Sequence, residues 1–84
     1  MDSAIRFFFS KFKSNWENGG GIPVMSLYAS YSTVFRGFDR KDIMNRFLEL
    51  EHQGYVLFRP ISDDNEFFMI YLTDAGKKYF SLDN

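Results

Sequence analysis

The sequence predicts an α+β fold in which three helices precede a β-hairpin and a short helix closes the chain. Three observations carry this. Apolar side chains recur at offsets of three and four near the start, at Ile5, Phe8, Phe9, Phe12 and Trp16. Two later runs, Tyr55 to Ile61 and Glu66 to Leu72, alternate with the period of a strand. Between them stands a polar turn cluster, Ser62-Asp63-Asp64-Asn65, of the kind that joins hairpins.

The first stripe predicts a helix from Asp2 to Glu17, with Lys11, Lys13 and Ser14 turned away and Phe7 off the stripe. Asn18-Gly19-Gly20-Gly21 ends it, and Ile22-Pro23-Val24 reads as a short extended piece. Ser26 is placed to cap a second helix running through Arg36, with Leu27, Tyr31, Val34 and Phe35 inward. Gly37 and Phe38 make a turn. Asp39 then caps a third helix, with Asp42 three residues on in place of the capping-box glutamate. In that helix Ile43, Met44, Phe47, Leu48 and Leu50 face inward, Arg40, Lys41, Asn45, Arg46, Glu49 and Gln53 outward, and Gly54 stops it.

In the hairpin, Val56, Phe58, Phe68, Ile70 and Leu72 form one wholly apolar face that should lie on the helices. The other face, Tyr55, Leu57, Arg59, Phe67, Met69 and Tyr71, is too apolar for a freely solvated ribbon. Pro60 donates no backbone hydrogen bond and belongs at the hairpin's open side or in its turn. Thr73 or Asp74 caps a last helix that returns Ala75, Tyr79 and Phe80 to the core, and the tail from Leu82 to Asn84 should fray.

Two segments carry a family resemblance. Leu50-Glu51-His52-Gln53-Gly54-Tyr55-Val56 and Leu72-Thr73-Asp74-Ala75-Gly76 resemble the steps that enter and leave the wing in winged helix-turn-helix proteins of the MarR and PadR kind. The resemblance covers roughly the last two thirds of the chain and bears on fold more than on activity. It implies a three-helix core with a two-stranded β-wing and a short C-terminal helix, and makes Ile22-Pro23-Val24 the small first strand that winged helices often place before their second helix. It also implies a function: the third helix would be the recognition helix, with Arg40, Lys41, Asn45 and Arg46 meeting the major groove of duplex DNA. Those residue types suit the task, since arginine bridges the two acceptors of guanine, asparagine pairs with adenine and lysine neutralises phosphate. Arg36 and the hydroxyls of Ser30 and Thr33 would hold the backbone, and a homodimer would combine two weak contacts.

Charge and composition bound the alternatives. At 84 residues the chain, 1–84, reads as one domain near the small end of what folds without a metal or disulfide, so its 11 Phe, 5 Tyr and 1 Trp must supply a dense core. The net charge of −1 is unevenly spread. Arg36, Arg40, Lys41 and Arg46 outnumber Asp39 and Asp42, whereas from Glu49 to Glu66 five carboxylates face only Arg59. The acidic tip, Asp63-Asp64-Asn65-Glu66, would repel phosphate. A second function therefore stands beside the first: an interaction module or inhibitor that meets its partner through Phe7, Leu57, Phe67, Met69 and Tyr71.

Enzymatic and metal chemistry find little to build on. There is no cysteine, which fits a reducing cytoplasm, and His52 is the only histidine, placed where a helix's negative end attracts it. The three glycines lack the Gly-Lys-Ser/Thr ending of a phosphate loop, and no Gly-x-Ser-x-Gly or His-Glu-x-x-His pattern occurs. Asp63 and Asp64 read as turn formers. No cofactor or metal is expected. The run from Ile5 to Phe9 contains Arg6 and is too short for a membrane span.

Overall fold

The aromatic stripe at the start does form helix, but in two pieces: α1 spans Asp2–Lys11 and α2 spans Lys13–Trp16. The break lies at Phe12, whose backbone leaves the helical region at φ −111° and ψ 28°. The carbonyl of Phe9 there accepts the N–H of Phe12, three residues on, at 3.0 Å, and the indole Nε1 of Trp16 donates to the same oxygen at 2.7 Å. In a continuous helix this carbonyl would instead accept the amide four residues on; here the indole bond leaves Trp16 with both its ring and its polar atom buried.

The computed structural model describes residues 1–61 and 67–83. After α2 come β1 (Ile22–Pro23), α3 (Val24–Ala29), a 3-10 turn (Ser30–Ser32), α4 (Arg40–His52), β2 (Val56–Pro60), β3 (Phe68–Leu72) and α5 (Asp74–Tyr79). The second helix differs from expectation at both ends. Pro23, at φ −62°, is its N-cap, so it starts two residues before Ser26. It stops as an α-helix at Ala29, where the Ser30 hydroxyl donates to the Ser26 carbonyl at 2.8 Å. Serine and threonine compete with the helix ladder in this way, and the run from Ser30 to Thr33 unwinds into turns that still bury Phe35.

α4 follows expectation more closely. Asp39 caps it, its carboxylate accepting the Lys41 N–H at 2.8 Å, and Gly54, at φ +85°, ends it. Ile43, Phe47 and Leu50 are fully buried. Met44 and Leu48 are not: Met44 is half-buried and Leu48 is 50% exposed, because the buried stripe narrows to the three residues that face α1 and the sheet.

The sheet has three antiparallel strands in the order β1-β3-β2, one more than the expected two-stranded ribbon. The extra strand is the extended piece at Ile22–Pro23, which pairs with Ile70 and Met69. In the hairpin, Val56 faces Leu72 and Phe58 faces Ile70. Val56, Ile70 and Leu72 are buried, with Phe58 and Phe68 packed at the core's margin. β2 forms a sheet edge that is blunted twice. The Phe58 N–H donates to Glu51 Oε2 at 3.0 Å, and Pro60 has no N–H to offer a foreign strand.

The junction before α5 joins the two segments quoted above. Thr73 donates its hydroxyl to the Gly54 carbonyl at 2.7 Å and its N–H to the Tyr55 carbonyl at 3.2 Å, while its Oγ1 accepts the Gly76 N–H and caps α5. Gly76 is buried so closely that a Cβ there would overlap the Tyr55 carbonyl. Ala75 and Tyr79, expected in the core, are exposed, and only Phe80 of the three is buried. The six-residue length of α5 explains this: its single inward row is taken by Gly76 and Phe80. The tail does not fray through Leu82. Ser81 adopts a left-handed φ of 56°, and the Leu82 N–H returns to the Lys77 carbonyl at 2.7 Å, a helix-terminating motif that sets Leu82 against the core.

Two stability outcomes follow from this junction. Gly76→Ala should cost about 3 kcal/mol by forcing apart the Tyr55 carbonyl and α5, seen as a lower denaturant midpoint. Ser81→Gly should stabilise by up to about 1 kcal/mol, because glycine adopts the left-handed conformation without a side-chain penalty. No change in the midpoint of either variant would contradict the junction described.

Candidate nucleic-acid interface

Burial of Ile43, Phe47 and Leu50 leaves the opposite side of α4 to solvent, and three of the five cations and amides expected to contact DNA are exposed: Lys41 and Asn45 on that open side, and Arg40 in the first turn, at the edge of the buried row. Arg36, in the turn before α4, is exposed as well. Among the described residues none of Arg36, Arg40 and Lys41 takes part in a salt bridge. Arg40 instead lies over the ring of Tyr31, its guanidinium carbon 5.1 Å from the ring centre, a contact that orients a cation without neutralising it.

Arg46 does something else. Its Nε and Nη2 donate to the two carboxylate oxygens of Asp2, each at 2.8 Å, and Nη2 also reaches the Tyr79 hydroxyl at 3.0 Å. Tyr79 in turn donates to Asp2 at 2.7 Å and stacks on Tyr55, ring centres 4.3 Å apart. Glu49 adds a longer contact at 3.5 Å. Only 20% of the Arg46 side chain is exposed. The arginine expected to point outward thus braces α4 to α1 and α5. The reason is angular: Arg46 sits beside Phe47 on the flank of α4 that α1 covers, where a planar fork meets a carboxylate.

The electrostatics agree with the geometry. Hydrogen bonding to Arg46 holds the Asp2 carboxyl below its usual value, against the opposing effect of partial burial. The same bond pushes the Arg46 guanidinium further up. The Tyr79 phenol is raised chiefly by its hydrogen bond to Asp2, and Tyr31 is raised by burial and by Tyr28, with Arg40 pulling the other way.

Sequence periodicity missed two features of this surface. Leu48, half exposed, sits one turn beyond Asn45 and makes the exposed side of α4 more apolar than its charges suggest. Tyr28 and Tyr31, with ring centres 5.7 Å apart, join Arg40, Lys41 and Met44 around an open depression between α3 and α4. The spacing of Tyr28 and Tyr31 was the available signal. Asp2 offered none, being 44 residues from its partner.

The expected partner-facing surface is less continuous than the alternation implied. The turn before β1 lies on the outer side of the sheet, so that a Cβ on Gly21 would stand 2.9 Å from Tyr71 Cζ and 3.0 Å from Met69 Cβ. Asn15 holds that turn by donating to the Gly21 carbonyl at 3.1 Å. Met69 and Tyr71 are consequently half-buried, as is Leu57 on β2, and of the ribbon's apolar face only Phe67 is broadly open, at 42% exposure. Phe7 is exposed on α1, with the Lys11 ammonium 5.9 Å from its ring centre. The acidic tip at Asp63, Asp64, Asn65 and Glu66 lies outside the described residues.

Among the described residues no three His, Cys, Asp or Glu side chains gather as metal ligands would, and no helix is long and apolar enough to cross a membrane. Comparison with protein-family models, with curated proteins and with solved structures found no match.

The brace has a pH signature. Because the Asp2 pKa is depressed in the fold, its contribution is complete above the unfolded value near 3.8 and is lost as pH falls through the lower folded value. Asp2→Asn should therefore lower stability at neutral pH by about 1 kcal/mol. The gap to the parent chain should close in acid, once Asp2 is protonated in both states. Thermal melts at a series of pH values would show this, and a gap unchanged in acid would contradict an ionic brace.

Proposed function

We propose that the chain is a small winged helix-turn-helix protein that binds duplex DNA by setting α4 in the major groove, and that it regulates transcription or a related DNA transaction. The observation that carries this reading is the first half of α4: Arg40, Lys41 and Asn45 are exposed while Ile43 and Phe47 lock the helix into the core. A rigid helix with an exposed cationic start, preceded by a turn carrying Arg36, has the shape and the charge that major-groove docking requires. The sequence resemblance at Leu50–Val56 and Leu72–Gly76 supports the same reading. Arg46 leaves the list of DNA contacts and becomes a positioning residue for the helix.

Three cations remain, Arg36, Arg40 and Lys41, and a single copy with so few phosphate contacts binds weakly. Two copies on one site gain by linkage what each lacks. A second reading, a winged helix turned to protein interaction, draws on the exposure of Phe67 and Leu48 and on the acidic residues between Glu49 and Glu66.

A fluorescence-anisotropy titration with random duplex DNA at several salt concentrations separates the two. If three phosphates are neutralised per copy, log affinity falls against log salt with a slope of about −2.7, at about 0.9 per phosphate. Arg40→Ala with Lys41→Ala should reduce that slope to about −0.9 and weaken binding without lowering thermal stability. Binding that is absent at low salt, or that is indifferent to both substitutions, would sink the DNA reading.

A further inference from the structure

The depression between α3 and α4 sets rings beside charge in a way that duplex phosphates alone leave unused. Tyr28, Tyr31 and Met44 give it an apolar, aromatic surface, Arg40 and Lys41 stand with them, and no carboxylate is among the described residues that line it. Of the two carboxylates adjoining these cations in sequence, Asp39 accepts the Lys41 N–H as the cap of α4, and Asp42 does not line the depression. Arg40 lies over the ring of Tyr31. The more open ring surface therefore belongs to Tyr28, which is 39% exposed and tilted by 40° from Tyr31. The complementary ligand is planar, unsaturated and anionic.

The same combination recurs directly ahead of α4. Arg36 and Phe38 are both exposed in that turn, Phe38 at 43%. Phe38 stands two residues from Arg40, at most about 7 Å along the backbone. A single aromatic acid would meet one ring and its charge, whereas a chain of rings joined by phosphates meets both sets. In a duplex the bases stack on one another and present their edges. An unpaired strand leaves its base faces free to stack on aromatic side chains while its phosphates meet cations. We infer that the depression binds single-stranded nucleic acid, an unpaired base stacking on Tyr28 and the adjoining phosphates meeting Arg40 and Lys41, with Phe38 and Arg36 receiving the neighbouring nucleotide.

This site goes beyond the duplex reading and does not rest on it. Both modes draw on Arg40 and Lys41, so a single strand and a duplex compete for one copy of the chain. What separates them is the ring of Tyr28, which only an unpaired base can cover.

The test is fluorescence anisotropy at about 100 mM salt, where charges more than about 10 Å apart are largely screened. The labelled probes are of equal length, roughly 12 nucleotides: oligothymidylate, an abasic deoxyribose-phosphate strand, and a duplex of mixed sequence. Oligothymidylate should bind at least about fivefold more tightly than the abasic strand, which carries the phosphates without the bases. Tyr28→Ala should remove that advantage and Tyr28→Phe should keep it. Tyr28→Leu, which retains apolar bulk without a flat ring, should behave as the alanine variant does. None of the three should change affinity for the abasic strand or the duplex. Equal affinity for the two single strands would overturn the inference, and so would an oligothymidylate advantage that survives Tyr28→Ala and Tyr28→Leu. Unlabelled thymidine monophosphate that competes as well as the unlabelled strand would also overturn it, by reducing the site to one for a free nucleotide. The two readings fail separately. Duplex binding without a base-dependent advantage leaves the duplex reading alone standing, whereas a Tyr28-dependent advantage in a chain that binds no duplex leaves the single-strand site alone standing.

Discussion

Everything on the surface of α4 is set by what its other side must bury, and the centre of that burial is Phe47. Its ring meets those of Phe8, Phe9 and Phe35 edge-on or nearly so, at centre-to-centre distances of 6.0, 6.1 and 6.4 Å. Burying one such ring contributes about 2–3 kcal/mol, and favourable edge-to-face geometry adds to it. Because α1, the turn after α3 and α4 all converge on this one side chain, α4 cannot rotate without undoing three contacts. Its exposed residues follow by helical geometry: Lys41, Asn45 and Leu48 lie on the side that the ring cluster leaves open.

The Asp2–Arg46–Tyr79 network refines that orientation rather than creating it. A partly exposed ion pair contributes little to net stability in water, far less than the aromatic cluster. Its effect is directional. The planar guanidinium is matched to both oxygens of one carboxylate, and Tyr79, stacked on Tyr55, closes the third side. The first helix, the long helix and the last helix are thereby tied at a single point, far apart in sequence and adjacent in space. One consequence is functional: the positive charge available to an anion lies at the start of α4 and does not extend along it.

Much of the architecture was legible in the residues, for local reasons. The helical spacing of Ile5, Phe8, Phe9 and Trp16, the cap at Asp39, the stop at Gly54, the alternation through Val56 and Ile70 and the cap at Thr73 all depend on neighbours a few positions away. The misplacements have a common cause in longer-range geometry. Periodicity could not show that the first helix would break at Phe12 with Trp16 reaching back for the Phe9 carbonyl, or that Ser81 would turn left-handed and fold Leu82 inward. At the candidate site the same division holds. Arg36, Arg40, Lys41 and Asn45 are exposed as their outward positions implied, whereas Arg46 was misread because its partner is 44 residues distant. The ribbon's apolar face was misread in part because the turn at Gly21 that covers it carries no hydrophobic signal of its own.

These pieces give one physical picture: an aromatic core holds α4 rigid, an ionic brace removes Arg46 from the exposed charge, and the remaining cations form a short basic start to the helix beside a tyrosine-lined depression. The measurement that bears most directly on it is an NMR titration with duplex DNA that follows the backbone amides of α4 together with the Arg46 side-chain Nε–H. The amides of Arg36, Arg40, Lys41 and Asn45 should shift as DNA is added, while the Arg46 Nε–H stays protected from solvent exchange and unmoved, bound to Asp2 throughout. An Arg46 signal that exchanges freely in the unbound chain, or that shifts with the others as the guanidinium leaves Asp2 for phosphate, would contradict the account.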